Sequence, residues 1–351
     1  VWNPIKQLSI ENIASVEKSD EGGYPYSIYD SLIQAATPIR HDQPSFYNRL
    51  MFSDALVSAY KTDDIEIRLT GAFQYIDDEQ GIDQDFSETP RYFVNQTQQQ
   101  FLLSEELLVR SVNKSIYNWL FGAMYFLQNF DKEVNVDIIP ANRISRKTYE
   151  HTISGAALFH QSELTLGDLT LTGGVRLDFE KDKQDYAAAS IVDQVVTPVD
   201  EQLETFRFFE ILPKVAANYR FNGTNLFLSV ARGYKTGGFN SSFDADRPQD
   251  MTYDSEYSMN YEAGMKTSLI NRQLYADLAV YFIDIDQQQI YQTNPSGVGS
   301  RLTNAGRSSS TGFEASVKTV PICGYVTSVS YGYNHATFKN YTVEKSEDPY
   351  H

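Results

Sequence analysis

Six tight turns, centred near residues 62, 114, 168, 223, 271 and 322, recur about every 50 residues, and each joins two stretches of alternating apolar and polar residues. They are Lys61-Thr62-Asp63-Asp64, Asn113-Lys114-Ser115, Gly167-Asp168, Asn222-Gly223-Thr224-Asn225, Asn271-Arg272 and Pro321-Ile322-Cys323-Gly324. The clearest ribbon follows the third turn. Leu169, Leu171, Gly173, Val175, Leu177 and Phe179 fall on one side of an extended strand, and Thr170, Thr172, Gly174, Arg176, Asp178 and Glu180 on the other. Between the turns lie long polar segments, 77–98, 131–148, 181–204, 240–254 and 286–303, which read as loops. A soluble all-β fold places turns every 8 to 12 residues or so at both ends of its strands. Short turns at one end and long loops at the other instead mark an antiparallel transmembrane β-barrel, with the turns on the periplasmic side. Residues 65–75 and 169–179 supply the roughly 9 to 11 residues that a tilted strand needs to cross the hydrocarbon core. Hydrocarbon offers no partner for a free N–H or C=O, so such a sheet must close on itself.

The pattern predicts a long loop or partial strand over residues 1–45, about a dozen antiparallel barrel strands over 46–340, and the start of an outer loop over 341–351. The longest apolar run, 117–130, falls short of the roughly 18 residues of a membrane helix. A formal charge of -17 speaks against nucleic acid and suits a surface that attracts cations. Cys323 is the only cysteine, which excludes an intrachain disulfide. Tyr60, Tyr117, Trp119, Tyr125, Tyr219, Phe221, Tyr331 and Tyr333 stand near strand ends or in outward register, where the aromatic girdles of a membrane barrel belong. The outer-membrane lipid and lipopolysaccharide would be their partners.

Several stretches resemble the TonB-dependent outer-membrane receptors. They are Leu212-Pro213-Lys214-Val215 running into Tyr219-Arg220-Phe221, then Ala231-Arg232-Gly233-Tyr234-Lys235-Thr236-Gly237-Gly238-Phe239-Asn240, Tyr253-Asp254-Ser255-Glu256 and Asn260-Tyr261-Glu262-Ala263-Gly264-Met265-Lys266. Tyr281-Phe282-Ile283-Asp284, Asn304-Ala305-Gly306-Arg307 and Thr311-Gly312-Phe313-Glu314 continue the series in the family's order. The resemblance implies a 22-stranded barrel closed by an N-terminal plug, with the plug absent from this chain, and a TonB–ExbB–ExbD complex that energises uptake through that plug. It implies a ferric siderophore or another iron complex as cargo, with haem, cobalamin and oligosaccharide as alternatives. A passive porin, a barrel protease or lipase, and a soluble β-sandwich adhesin are the competing readings.

In this register the inward face collects Arg68, Arg110, Arg176, Asp178, Lys214, Arg220, Glu262, Lys266, Asp277, Glu314 and Lys318, as plug-facing or ligand-facing charges in a wet lumen. Tyr234 and Lys235 lie just before an outer loop, at the rim where a ligand arrives; Tyr234 also reads as an interface aromatic, and Arg232 as a snorkelling cation. Acidic clusters at Asp77-Asp78-Glu79, at Asp83 and Asp85, and at Asp244, Asp246 and Asp250 read as solvated loop charge, because none has the glycine and distal glutamate of a full calcium loop. No metal site, cofactor or catalytic constellation is expected: the five histidines form no H-E-x-x-H pair, and only His160 falls in an inward strand register. No G-x-S-x-G or phosphate loop occurs.

Overall fold

The computed structural model describes residues 1–23, 26–112, 115–243, 246–269, 273–295, 299–319 and 324–341. Fourteen strands make one sheet: β1 (Trp2–Ile5), β2 (Leu8–Gly22), β3 (Phe46–Lys61), β4 (Ile65–Asp83), β5 (Tyr92–Ser111), β6 (Tyr117–Ile138) and β7 (Arg143–Leu166), then β8 (Leu169–Val192), β9 (Val195–Phe221), β10 (Thr224–Lys235), β11 (Glu256–Leu269), β12 (Leu274–Asp286), β13 (Gly306–Thr319) and β14 (Thr327–Tyr341). Each pairs only with its sequence neighbours, always antiparallel, so the wall is an uninterrupted meander. Of the expected turns, Gly167-Asp168 and Asn222-Gly223 stand in place, with φ of 63° at Gly167 and 46° and 80° at the Asn-Gly pair. Residues 113–114, 271–272 and 321–323, with Cys323, lie outside the described residues, as do Asp244 and residues 342–351.

The two faces differ as alternation requires. Leu171, Val175 and Phe179 on β8, with Phe209 and Val215 on β9, all stay exposed on one face. A row of exposed large side chains is costly against water and favourable against lipid. Tyr60, Tyr117, Tyr125, Tyr219, Phe221, Tyr331 and Tyr333 are exposed on that same face. Arg176, Asp178, Arg68, Arg110, Lys214, Arg220, Glu262, Lys266, Asp277, Glu314 and Lys318 all take the opposite, polar face. There Gly122 leaves room for the ring of its cross-strand neighbour Phe159, which a Cβ would strike.

Three expectations are corrected. Residues 1–45 are not mainly loop: β2 is a full strand, in register with β3 from Leu8↔Tyr60 to Gly22↔Phe46. Segments 77–98, 131–148 and 181–204 are largely strand, leaving only the connections 84–91, 139–142 and 193–194. Once a hairpin is in register its ladder continues into water, because backbone pairing does not need an apolar face. His160 sits on the apolar face, opposite Val175 and Phe121, not in the inward register. Its ring stacks on Phe121 at 4.1 Å, and its nitrogens bond Leu120 O (3.0 Å) and Ser162 Oγ (2.8 Å), which satisfies both polar atoms locally. Asp54 also stands on this face, where it accepts a hydrogen bond from Asn12 Nδ2 at 2.8 Å.

Candidate functional site

Along the polar face the charges fall into two groups. Arg110 Nη2 donates to Glu66 Oε2 at 2.8 Å and Arg68 Nη2 to Oε1 at 3.2 Å, so two guanidinia hold one carboxylate. Arg176 Nε meets Asp178 Oδ1 at 2.7 Å. Lys214, Arg220, Glu262, Lys266 and Glu314 form no ion pair among the described residues. The first group is ion-paired within the wall, with one positive charge in excess at Glu66, whereas the second leaves its charge open to whatever occupies the space beside this face.

At the rim, the ladder between β9 and β10 stops before β10 ends. The last rung between β9 and β10 is Lys214↔Ala231, and beyond it β10 stays paired on its β11 side only, to Lys235↔Glu256. Arg232, Tyr234 and Tyr257 share one side of that ribbon and reach the polar face of β8 and β9. Arg232 donates to Glu210 Oε2 (3.3 Å) and to the carbonyl of Ile211 (3.1 Å), with its guanidinium over the Tyr257 ring at 5.0 Å. Tyr257 Oη donates to Glu210 Oε1 at 2.7 Å. Tyr234 lies beside Asp178, Glu180 and Arg176, so it joins the polar network and is not an interface aromatic. Arg232 fills the place of the missing rungs and does not snorkel. Lys235 stays exposed.

The connections after β10 and β12 carry two short strand pairs. Gly238–Phe239 pairs with Thr252–Tyr253, and Gln289–Thr293 with Ser300–Asn304. Gly237 passes so close to the Tyr253 carbonyl that no Cβ would fit. Three amides tie the two connections together. Asn240 Nδ2 donates to Asp250 O and Leu302 O (both 2.9 Å), and its Oδ1 accepts from Leu302 N (2.7 Å). Asn304 Nδ2 donates to Asp254 O and Gln287 O (both 2.9 Å), and its Oδ1 accepts from Asp254 N (2.7 Å). Gln289 Nε2 donates to Thr236 O (2.8 Å) and Asp254 O (3.0 Å). Beneath them Asp250 binds Arg247 (2.7 Å) and Arg301 (3.2 Å), and Arg301 is 1% exposed.

This knot packs down on the polar face of the wall. Tyr149 and Tyr186, neighbours across β7 and β8 with centroids 5.2 Å apart, form a buried cluster with Met251, against which Phe239 and Phe243 rest. Tyr149 Oη donates to Ser241 O at 2.8 Å, Phe239 lies against Phe206 and His151, and His151 Nε2 contacts Asp182 Oδ1. Burial, with Asp200 nearby, pushes the Tyr186 phenol up to about 12, so it presents a neutral surface at neutral pH. Sequence reasoning missed this assembly. Asn240 and Asn304 were visible only as positions within family-like motifs, and Arg301 and Met251 carried no signal. Replacing Asn240 with alanine strips three buried hydrogen bonds and is expected to loosen the knot by about 1–3 kcal/mol. Hydrogen exchange at Leu302 and Ala305 should then quicken while the β7–β8 amides stay protected.

A model of the family described as TonB dependent receptor-like, beta-barrel, matches residues 15–350. Among solved structures, the ferric yersiniabactin uptake receptor FyuA from Yersinia pestis superposes with a TM-score of 0.77 at 19% identity, covering 95% of this chain and 50% of that one. The siderophore receptor PiuA from Acinetobacter baumannii gives 0.73 at 12% identity, covering 97% and 56%. The copper transporter OprC gives 0.69 at 13% identity, covering 96% and 53%. The chain thus spans about half the length of the structures it matches. With the meander, the lipid-compatible face and this match taken together, the chain belongs to the TonB-dependent receptor β-barrel family of the outer membrane.

Proposed function

We propose that this chain forms part of the wall of a receptor for energy-coupled uptake of a ferric siderophore or another iron complex. The observation that carries the reading is the knotted pair of connections, fixed at the long-loop end against Tyr149 and Tyr186 on the polar face. A passive pore gains little from a rigid structure folded into its mouth. A receptor gains a preorganised surface, because ordering costs met during folding are not met again on binding. One superposing structure is named as a ferric yersiniabactin uptake receptor and another as a siderophore receptor, which favours iron complexes over haem, cobalamin or oligosaccharide. In this reading Lys214, Arg220, Glu262, Lys266 and Glu314 face a plug domain, with Arg68, Arg110, Arg176 and Asp178 behind them in the same lumen. Tyr234 and Lys235 stand at the rim. TonB–ExbB–ExbD acts through the plug, and the wall itself needs no cofactor or catalytic group.

The test uses cells lacking the complete gene, grown under iron limitation with a panel of radio-iron siderophores. Uptake of at least one complex is expected to fall, to return with the intact gene, and to stop when the proton gradient is collapsed. Unchanged uptake across the panel removes iron as cargo, and uptake that survives the collapse makes the barrel a passive pore.

A further inference from the structure

At the long-loop end, away from the knot, three carboxylates from two connections meet. Asp42 lies in the connection between β2 and β3, Asp83 ends β4, and Asp85 opens the connection to β5. One oxygen from each lies within 4.8 Å of the other two. No lysine or arginine among the described residues pairs with any of them; Arg40, nearby in sequence, goes to Glu88 at 3.7 Å. Like charges so placed repel unless a cation or a proton lies between them.

The hydrogen bonds show which oxygens are taken. Asp85 Oδ1 accepts from Ser87 N (3.1 Å) and Oγ (2.5 Å), and Oδ2 from Arg91 N (3.1 Å) and Tyr92 N (3.0 Å). These four bonds occupy both oxygens of Asp85. Asp83 Oδ2 accepts from the backbone N–H of Asp42 (2.9 Å) and of Gln43 (3.5 Å), and Asp83 N donates to Ser45 Oγ (3.0 Å). Asp83 is 0% exposed, yet its Oδ1 has no hydrogen-bond partner. The Asp42 carboxyl lies against it. A fully buried carboxylate oxygen without a donor, on a residue whose carboxylate comes within 4.8 Å of two others, is costly as it stands and suits a hard cation that takes oxygen ligands.

We propose that Asp42, Asp83 and Asp85 hold a calcium-class divalent cation that fastens the β2–β3 connection to the β4–β5 connection. Asp83 Oδ1 and the Asp42 carboxylate supply the open lone pairs. Asp85, with its oxygens already occupied, sets the loop and adds charge. Ligands drawn from two separate, irregular connections fit calcium's tolerance of irregular geometry better than magnesium's demand for a strict octahedron. The cation adds a direct link between the two connections, and this holds whatever ligand the receptor carries.

The experiment is calorimetric titration of calcium chloride into the complete receptor in nanodiscs, with hydrogen exchange followed over residues 41–45 and 84–91. Saturable binding is expected in the range of about 10⁻⁴ to 10⁻³ M, typical of extracellular modules, together with slower exchange in both segments. Asp83→Asn retains an acceptor for the Asp42 and Gln43 amides and is expected to weaken binding at least about tenfold. Asp42→Asn should do the same without touching the backbone bonds, and Asp193→Asn, in a distant hairpin, should change nothing. Either of two results overturns the site: no saturable binding across the millimolar range, or equal affinity in the wild type and in both the Asp42→Asn and Asp83→Asn variants.

Discussion

An arginine at Val175 is expected to destabilise the folded barrel by about 2–4 kcal/mol, the penalty for a cation on the lipid face near the bilayer midplane. The same residue at Thr172 is expected to change stability by no more than about 0.5 kcal/mol, because a hydrated lumen accepts it. The contrast rests on register alone. Val175 lies opposite His160 and Pro213 among exposed apolar side chains, and Thr172 lies opposite Glu163 and Ala216 on the polar face. Eleven tilted residues from Leu169 to Phe179 span about 26 Å, which puts Val175 close to the middle. Urea titration of the complete polypeptide folded into lipid vesicles gives both numbers. Equal costs, or a larger cost at Thr172, would mean that the apolar face is not the one in contact with lipid.

That register was readable because alternation carries it. Residues 169–180 contain no misplaced side chain, and Gly167-Asp168 and Asn222-Gly223 mark their turns with residues that accept positive φ. Where the signal failed, the cause is specific. In β2 the residues Asn12 and Ile13 stand reversed, Asn12 on the apolar side bonded to Asp54 and Ile13 on the polar side, so the period looks broken although the ladder is continuous. The turn at Asp193-Gln194, with φ of 48° and 64°, has no glycine to announce it, and the alternation is lost before it, where Glu180 to Asp185 are polar on both faces of β8. The inward register of Lys214, Lys266 and Glu314 followed directly from the pattern. His160 was misassigned because its strand mixes small and polar residues on both faces, and only its rungs to Val175 and Phe121 fix the side.

The knot was illegible for another reason: its contacts join residues far apart in sequence. Tyr149 meets Ser241, Asn240 meets Leu302, and Asp250 meets Arg301. Periodicity reports neighbours within a strand and says nothing of where an irregular connection folds back. Likewise Asp83 and Asp85 are visible as a pair in the sequence, but Asp42 joins them only because β2 and β3 stand beside β4.

Replacing Arg301 with alanine is expected to be the most damaging single change in the knot, at about 3 kcal/mol. The side chain is 1% exposed, its Nε pairs with Asp250 and its Nη1 donates to Thr293 O at 3.2 Å. Truncation leaves a large void and removes one of the two guanidinia on Asp250. Arg247 remains on that carboxylate at 2.7 Å, which keeps the cost at the low end of the range for a broken buried pair. The loss should stay local, since the fourteen-strand ladder makes no use of Arg301. Protease sensitivity should therefore appear in the connections after β10 and β12, while the midpoint for unfolding the barrel stays at its wild-type value. Arg301→Lys retains the charge without the fork and should fall between the two. Ligand affinity should decline in the same order, because a site made from ordered connections binds in proportion to the fraction of molecules in which they are ordered. If Arg301→Ala opens these connections and affinity is unchanged, the knot is a structural brace only, and ligand recognition must be sought along Lys214, Lys266 and Glu314 deeper in the lumen.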